Sequence, residues 1–170
     1  MKLNPFLLAF LMLCFLSVQS VSAQSTFQLP ENIEFKTSED YIKYEPTFVE
    51  AAKWLEDTDL DKEQDKRQKI NAFIIQYLTG SPSISIEIST AHTKLSEGNE
   101  QFLLLYMAGF GKSAIENNKD KAKKYTFVKA GINSILKVYK KGIGVKKNAE
   151  LEKLLKMNDA KLDKYITKNF

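Results

Sequence analysis

The sequence predicts an all-α fold, a bundle of about five helices. In successive stretches of the chain, apolar side chains recur at the three-to-four-residue spacing of an amphipathic helix. Residues that cap helix N-termini precede several of these stretches, and glycine or proline, which stop helices, follow them. One short segment, residues 83–89, instead alternates apolar with polar side chains, and we expect it to be extended.

The first helix follows an N-terminal arm, residues 24–37, which contains Pro30 and has no helical periodicity. Ser38 is the expected N-cap of this helix. The carboxylates of Glu39 and Asp40 suit its first turn, where the helix dipole favours negative charge. The apolar positions that follow have helical spacing: Phe48, Val49, Ala52 and Leu55.

A capping box predicts the start of the second helix, because Asp61 is followed three residues later by Gln64. The apolar stripe of this helix is clear: Ile70, Phe73, Ile74, Tyr77 and Leu78. Gly80 can adopt the left-handed conformation of a C-terminal cap, and Pro82 prevents the helix from continuing.

Residues 83–89 have the period of a β-strand, because Ile84, Ile86 and Ile88 alternate with polar neighbours. A single strand cannot satisfy its own backbone hydrogen bonds. We expect the segment to pair with the N-terminal arm, to pair with a partner chain, or to lie extended against the helices. The polar residues 90–99 that follow carry no periodic signal.

Helical spacing returns at residues 100–117 and again at residues 120–141. The first of these helices contains Gly109 and Gly111. Each glycine costs about 1 kcal/mol relative to alanine in a helix interior, so we expect them to admit a closely packed neighbouring backbone. A glycine-rich turn ends the second of these helices, and Asn148 is the expected cap of the last helix.

The N-terminus has the organisation of a secretory signal peptide, residues 1–23. Lys2 supplies the positive charge, residues 6–16 form an apolar run, and Val21-Ser22-Ala23 offers small residues for cleavage before Gln24. The apolar run is shorter than the roughly 20 residues needed to span a bilayer, which argues against an uncleaved anchor.

Cleavage at this point bears on redox chemistry and compartment. Cys14, the only cysteine, lies in the leader, so the mature chain has no disulfide and no thiol chemistry. Leu13 is not the small residue that lipoprotein processing requires before a cysteine. A single helical domain, residues 38–170, without disulfides suits a bacterial periplasm or exterior. We expect an exported protein with no transmembrane segment after cleavage.

Charge is unevenly distributed along the chain. Residues 24–111 carry 8 Lys and Arg against 15 Asp and Glu, whereas residues 112–170 carry 16 against 6. Such polarity arises when two halves attract each other, when a basic face meets an anionic partner, or when solvated helix faces are simply Lys-rich. The candidate binding surface consists of five C-terminal lysines: Lys137, Lys140, Lys141, Lys146 and Lys147.

No residue pattern in the sequence predicts catalytic residues, a metal site or a cofactor. Gly111-Lys112-Ser113 resembles the end of a P-loop, but Tyr106 stands where that loop requires its first glycine. His92 is the only histidine, and it has neither a cysteine partner for zinc nor the pattern of a catalytic triad. We expect His92 in a loop or at the surface.

Two resemblances add to these expectations. The turn Tyr139-Lys-Lys-Gly142-Ile-Gly144-Val145 resembles that of short tetratricopeptide-like repeats, although it occurs once and such arrays need about three copies. Over most of the mature chain, the sequence also resembles small exported proteins of Bacteroidetes-type bacteria. The segments that carry this second resemblance are Trp54-Leu55 and residues 71–73, 77–82 and 139–147. It implies export and a helical fold, with no activity attached.

The leading functional hypothesis is an exported, soluble, non-enzymatic helical domain that binds another macromolecule or supports an envelope assembly. The partner would be a protein or an anionic envelope component. Nucleic acid is not expected, because the lysine clusters lack the interleaved aromatics of single-strand binders. One alternative is a helical carrier of a small hydrophobic ligand, with a cavity near Gly109. The other is an unrecognised hydrolase with two convergent carboxylates.

Overall fold

The computed structural model describes residues 26–170, so the predicted signal peptide lies outside the described residues. Over this range the chain forms seven α-helices and no β-strand, which confirms the all-α class. The helices are α1 (Ser38–Asp57), α2 (Gln64–Gly80), α3 (Thr90–Ser96), α4 (Gln101–Glu116), α5 (Lys124–Lys141), α6 (Ala149–Leu155) and α7 (Asp159–Asn169), and a 3₁₀ turn (Lys121–Lys123) precedes α5.

The helix count is higher than predicted for two reasons. The polar stretch without a periodic signal contains α3, because the Ser89 hydroxyl accepts the Ala91 N–H at 3.3 Å and caps a short helix there. The last predicted helix is divided into α6 and α7. Its second part begins at a new cap, where the Asn158 side chain accepts the Lys161 N–H at 3.0 Å.

The two central helices of the bundle, α4 and α5, pack closely because glycines lie at their contact. A Cβ atom at Gly109 would lie 3.1 Å from the Ala130 carbonyl oxygen and 2.1 Å from Ser134 Oγ. This confirms the expected close backbone approach at Gly109. Gly111 differs, because the Phe48 ring of α1 fills the space beside it. The glycine region is therefore packed and does not outline a cavity.

Three helix ends differ from the sequence expectations. The first helix is capped by Thr37 rather than Ser38, and the N-cap of α2 is Glu63, in a left-handed conformation, rather than Asp61. Gly80 is the last residue of α2 and is not a left-handed cap. The hydroxyl of Tyr41 occupies the place that a Cβ atom at Gly80 would take, which explains a glycine there.

Residues 83–88 lie extended against the helices, the third of the arrangements expected for this segment. Within the described part of the chain, their backbone forms no hydrogen bond to another backbone group. The segment is held by side chains, since Ile84 is buried whereas Ile88 is 48% exposed. Ile84 and Ile86 face the core as the alternating pattern predicts, whereas Ile88 does not, and the segment is not a strand of a sheet.

The N-terminal arm also packs on the bundle through aromatic contacts. The Phe35 ring stacks on Tyr41 with centroids 4.7 Å apart and meets the edge of Tyr77 at 5.6 Å. Every helix between residues 26 and 170 is either too short or too polar to span a lipid bilayer.

Candidate functional site

Two buried asparagines attach the loop between α5 and α6 to the region around α3. Asn99 donates to the Lys146 carbonyl oxygen at 2.9 Å and accepts the Lys146 N–H at 2.7 Å. Asn148 donates to the carbonyl oxygens of Lys94 and Glu97 at 2.9 and 3.2 Å. Because these bonds are shielded from water, they fix the loop relative to α3.

The turn that resembles tetratricopeptide-like repeats belongs to this loop. Gly142 ends α5 with φ +72°, and Gly144 follows with φ +69°, both in the left-handed region that favours glycine. Asn148 donates its backbone N–H to Tyr139 Oη at 3.0 Å, and its side chain caps α6 by accepting the Leu151 N–H at 2.9 Å. The pattern therefore encodes a rigid hairpin between α5 and α6.

A groove lined with lysines flanks this hairpin, and we call it the lysine groove. It consists of two adjoining hollows of about 580 Å³ each, which share Lys94 and Glu150. Residues of α3, α6, α7 and the α5–α6 loop line it. Its lysines are Lys94, Lys146, Lys147, Lys153, Lys164 and Lys168.

Positive charge dominates the lysine groove, where six lysines accompany two acids, Glu97 and Glu150. Glu150 is partly neutralised by Lys153 Nζ, 3.4 Å away. Glu150 also accepts a hydrogen bond from Tyr165. The pKa of Tyr165 is raised mainly by burial and to a smaller extent by this hydrogen bond. Over residues 26–170, the other five lysines of the groove form no salt bridge, so their charges are available to an anion.

The structure divides the lysines predicted to form one binding surface. Lys146 and Lys147 line the groove. Two others are turned toward the acidic junction of α1 and α2: Lys137 Nζ lies 2.7 Å from Asp57 Oδ1, and Lys141 Nζ donates to the Asp57 carbonyl oxygen at 2.5 Å. These two side chains therefore have partners within the fold and lie outside the groove lining.

The fifth predicted lysine, Lys140, is exposed in the last turn of α5 and is not part of the groove lining. Four lysines of the groove were not predicted from the sequence: Lys94, Lys153, Lys164 and Lys168. One usable signal was present, because Lys164 and Lys168 are four residues apart and so share one face of α7.

A second polar cluster surrounds the buried carboxylate of Glu56 at the crossing of α1, α4 and α5. Glu56 Oε1 lies 2.5 Å from Lys112 Nζ and accepts the Ser134 hydroxyl at 2.7 Å, while Oε2 lies 3.4 Å from Lys137 Nζ. The lysine of the P-loop-like sequence thus belongs to an internal ion pair. The lysines paired with Glu56 belong to the basic half of the chain and Glu56 to the acidic half, so attraction between the two halves explains this part of the charge asymmetry.

His92 is buried, which makes the expected loop or surface position wrong. Its Nδ1 accepts the Ser89 N–H at 2.9 Å, and its ring packs between Tyr106 and Phe170 with centroid distances of 4.3 and 4.6 Å. Burial lowers the pKa of His92, while the hydrogen bond from Ser89 opposes that shift. The imidazole is a neutral part of the core that also closes the start of α3.

The carboxyl groups whose pKa is shifted, Asp40, Glu87 and Asp163, are all shifted downward. Hydrogen bonds to the charged form cause each decrease, from backbone N–H groups at Asp40 and from lysine side chains at Glu87 and Asp163. A general acid at neutral pH requires the opposite shift. These three carboxylates therefore act as ion-pair and capping groups.

Comparisons of the chain with protein-family models, with curated protein sequences and with solved structures found no match. Within the described residues, no group of three or more His, Cys, Asp or Glu side chains is arranged to hold a metal ion.

Proposed function

We propose that this chain is an exported, non-enzymatic binding protein whose lysine groove binds an anionic polymer of the cell envelope. The observation that carries the proposal is the convergence of six lysines, from four segments of the chain, on one concave surface. Concave surfaces lined by charge of one sign concentrate ligands of the opposite sign.

The shape of the groove supports a chain-like ligand rather than a flat surface. Its two hollows adjoin at Lys94 and Glu150, so a ligand long enough to reach both hollows meets the lysines of each. Tyr165 and Asn169 add an aromatic ring and an amide to the same wall. Rings and amides of this kind pack against sugar rings and hydrogen-bond their hydroxyls. A negatively charged glycan satisfies both features.

The fixed backbone of the lysine groove also supports the binding of an anionic polymer. The hydrogen bonds of Asn99 and Asn148 hold the backbone of Lys146 and Lys94 in place before any ligand arrives. A ligand then meets a surface whose backbone is already ordered, and less conformational entropy is lost on binding.

Affinity for a defined polyanion tests the proposal. Dextran sulfate oligomers serve as the probe and neutral dextran as its uncharged counterpart, with affinity measured by isothermal titration calorimetry near physiological salt. We expect dextran sulfate to bind and neutral dextran not to bind. Replacing one lysine from each hollow, in the double variant Lys146→Glu and Lys168→Glu, should weaken binding at least about tenfold, because unfavourable charge replaces attraction at the contact.

A matched control separates the groove from net charge. The double variant Lys69→Glu and Lys140→Glu changes the same total charge at exposed positions outside the groove. We expect it to weaken binding less than about threefold, through long-range attraction only. Equal weakening by both double variants would contradict a specific groove.

A further inference from the structure

A separate pocket lies on another part of the molecule, between the extended segment 83–87 and the packed ends of α4 and α5. Its volume is about 210 Å³, and it is open to solvent on one side. The apolar part of its lining is Ile84, Phe110, Ala114 and Phe127, and each of these side chains is buried. Phe110 and Phe127 meet edge to face with centroids 5.6 Å apart, which gives the pocket a rigid aromatic wall.

The rim of this pocket is polar and mainly cationic, with Lys119, Lys121 and Lys124 against Glu87. Lys124 Nζ lies 2.8 Å from Glu87 Oε2, and this ion pair ties the extended segment to α5. Lys119 pairs with Glu45 of α1. Between residues 26 and 170, Lys121 has no carboxylate partner, so its charge at the rim is uncompensated.

The rim also offers unused hydrogen-bond donors. Ser83 and Ser85 line the pocket, and within the described range neither hydroxyl nor backbone N–H of these residues has a hydrogen-bond partner in the protein. These donors lie on the same pocket as Lys121. An anion at the rim could therefore receive charge-assisted hydrogen bonds from more than one direction.

The turn that leads into the pocket rim has an unusual backbone conformation. Asn118 and Lys119 are consecutive residues with positive φ, +55° and +56°, a conformation that costs free energy for residues with side chains. The Lys119 N–H donates to the Ala114 carbonyl oxygen at 2.7 Å, so the strained turn folds back onto the pocket wall. The turn holds Lys119 at the rim instead of letting the chain continue as helix.

We propose that this pocket binds a small anionic amphiphile, with its hydrocarbon tail among Ile84, Phe110 and Phe127 and its carboxylate beside Lys121. The size fits, because about 210 Å³ corresponds to roughly seven methylene-sized groups if each needs about the 30 Å³ of a water molecule. Dry apolar cavities of about 150 Å³ already bind benzene. The charge of the rim selects an anion over a cation of the same length. This site is independent of the lysine groove.

The test uses octanoate as the probe and octyltrimethylammonium as its cationic counterpart. Both are titrated into ¹⁵N-labelled protein below their micellar concentrations, and backbone amide shifts are recorded. We expect saturable octanoate shifts at Ala114, Phe127 and the 83–87 segment, with binding at least about tenfold weaker for the cation. Equal affinity for the two probes, absence of saturable shifts, or shifts centred elsewhere would overturn the proposal.

Two variants separate the parts of the site. Ala114→Leu fills the apolar floor and should abolish octanoate binding. Lys121→Glu is an exposed change that leaves the floor intact, and it should weaken octanoate binding about tenfold while leaving the circular dichroism spectrum unchanged. The matched control is Lys156→Glu, which makes the same charge change at an exposed position outside the pocket. Equal octanoate affinity of Lys121→Glu and Lys156→Glu would show that the carboxylate does not bind beside Lys121. This comparison holds even if Ala114→Leu fails to fold.

Discussion

The side chain of His92 is part of the core and also closes the start of α3. It has only 4% of its surface exposed, accepts the Ser89 N–H through Nδ1, and therefore carries its proton on Nε2. Ser89 and His92 stand three residues apart, as in a capping box, with imidazole in place of the usual glutamate. That spacing was readable in the sequence; the burial between Tyr106 and Phe170 was not, because Phe170 is distant along the chain.

The His92 pKa predicts a pH dependence of stability. Because the pKa is lowered by burial, the unfolded chain takes up a proton near its ordinary value of 6.5 while the folded chain resists it. The contribution of His92 to the free energy of unfolding should be fully present above its ordinary pKa of about 6.5 and should be lost as pH falls below that value. Urea unfolding at several pH values measures this. In His92→Gln the dependence of the free energy of unfolding on pH below about 6.5 should flatten, and an unchanged dependence would refute the assignment.

At the scale of helices, the Glu56 cluster joins α1 to the two central helices. Glu56→Ala removes the carboxylate that Lys112 and Ser134 both contact, and it leaves Lys112, whose side chain is only 17% exposed, without that partner. We expect a loss of about 2–4 kcal/mol in the free energy of unfolding, because an unpaired, largely buried charge is costly. Chemical denaturation measures the loss. The control Glu50→Ala removes an exposed pair with Lys53 and should cost less than about 1 kcal/mol. A loss in this control as large as that of Glu56→Ala would contradict the effect of burial.

The sequence predicted helices well where an apolar stripe and a nearby stop signal coincided, as in α2 and α5. It missed α3 because that helix has only 7 residues and buries just His92 and Leu95, too few to produce a period. It also joined α6 to α7, since their apolar positions continue in phase across the break near Asn158. Short helices depend on tertiary contacts, which no local pattern records.

Over the whole molecule, the uneven distribution of charge can be recognised in the sequence. The fold decides which lysines are paired with acids and which line the groove. Lys137 and Lys146 belong to the same Lys-rich stretch, yet one is paired with Asp57 and the other lines the lysine groove. The groove joins residues from Lys94 to Lys168, more than seventy positions apart. A single sequence gives no means of pairing such distant positions, so its surface sites could be anticipated only in part.

Mapping the amides that contact the ligand shows whether the lysine groove binds a polyanion. Dextran sulfate oligomers are titrated into ¹⁵N-labelled protein, and the shifts of the backbone amides are recorded at two salt concentrations. We expect shifts concentrated at α3, α7 and the loop carrying Lys146 and Lys147, with weaker binding at the higher salt concentration. Shifts spread over all exposed lysines, or centred on Lys121 and its neighbours instead, would contradict it.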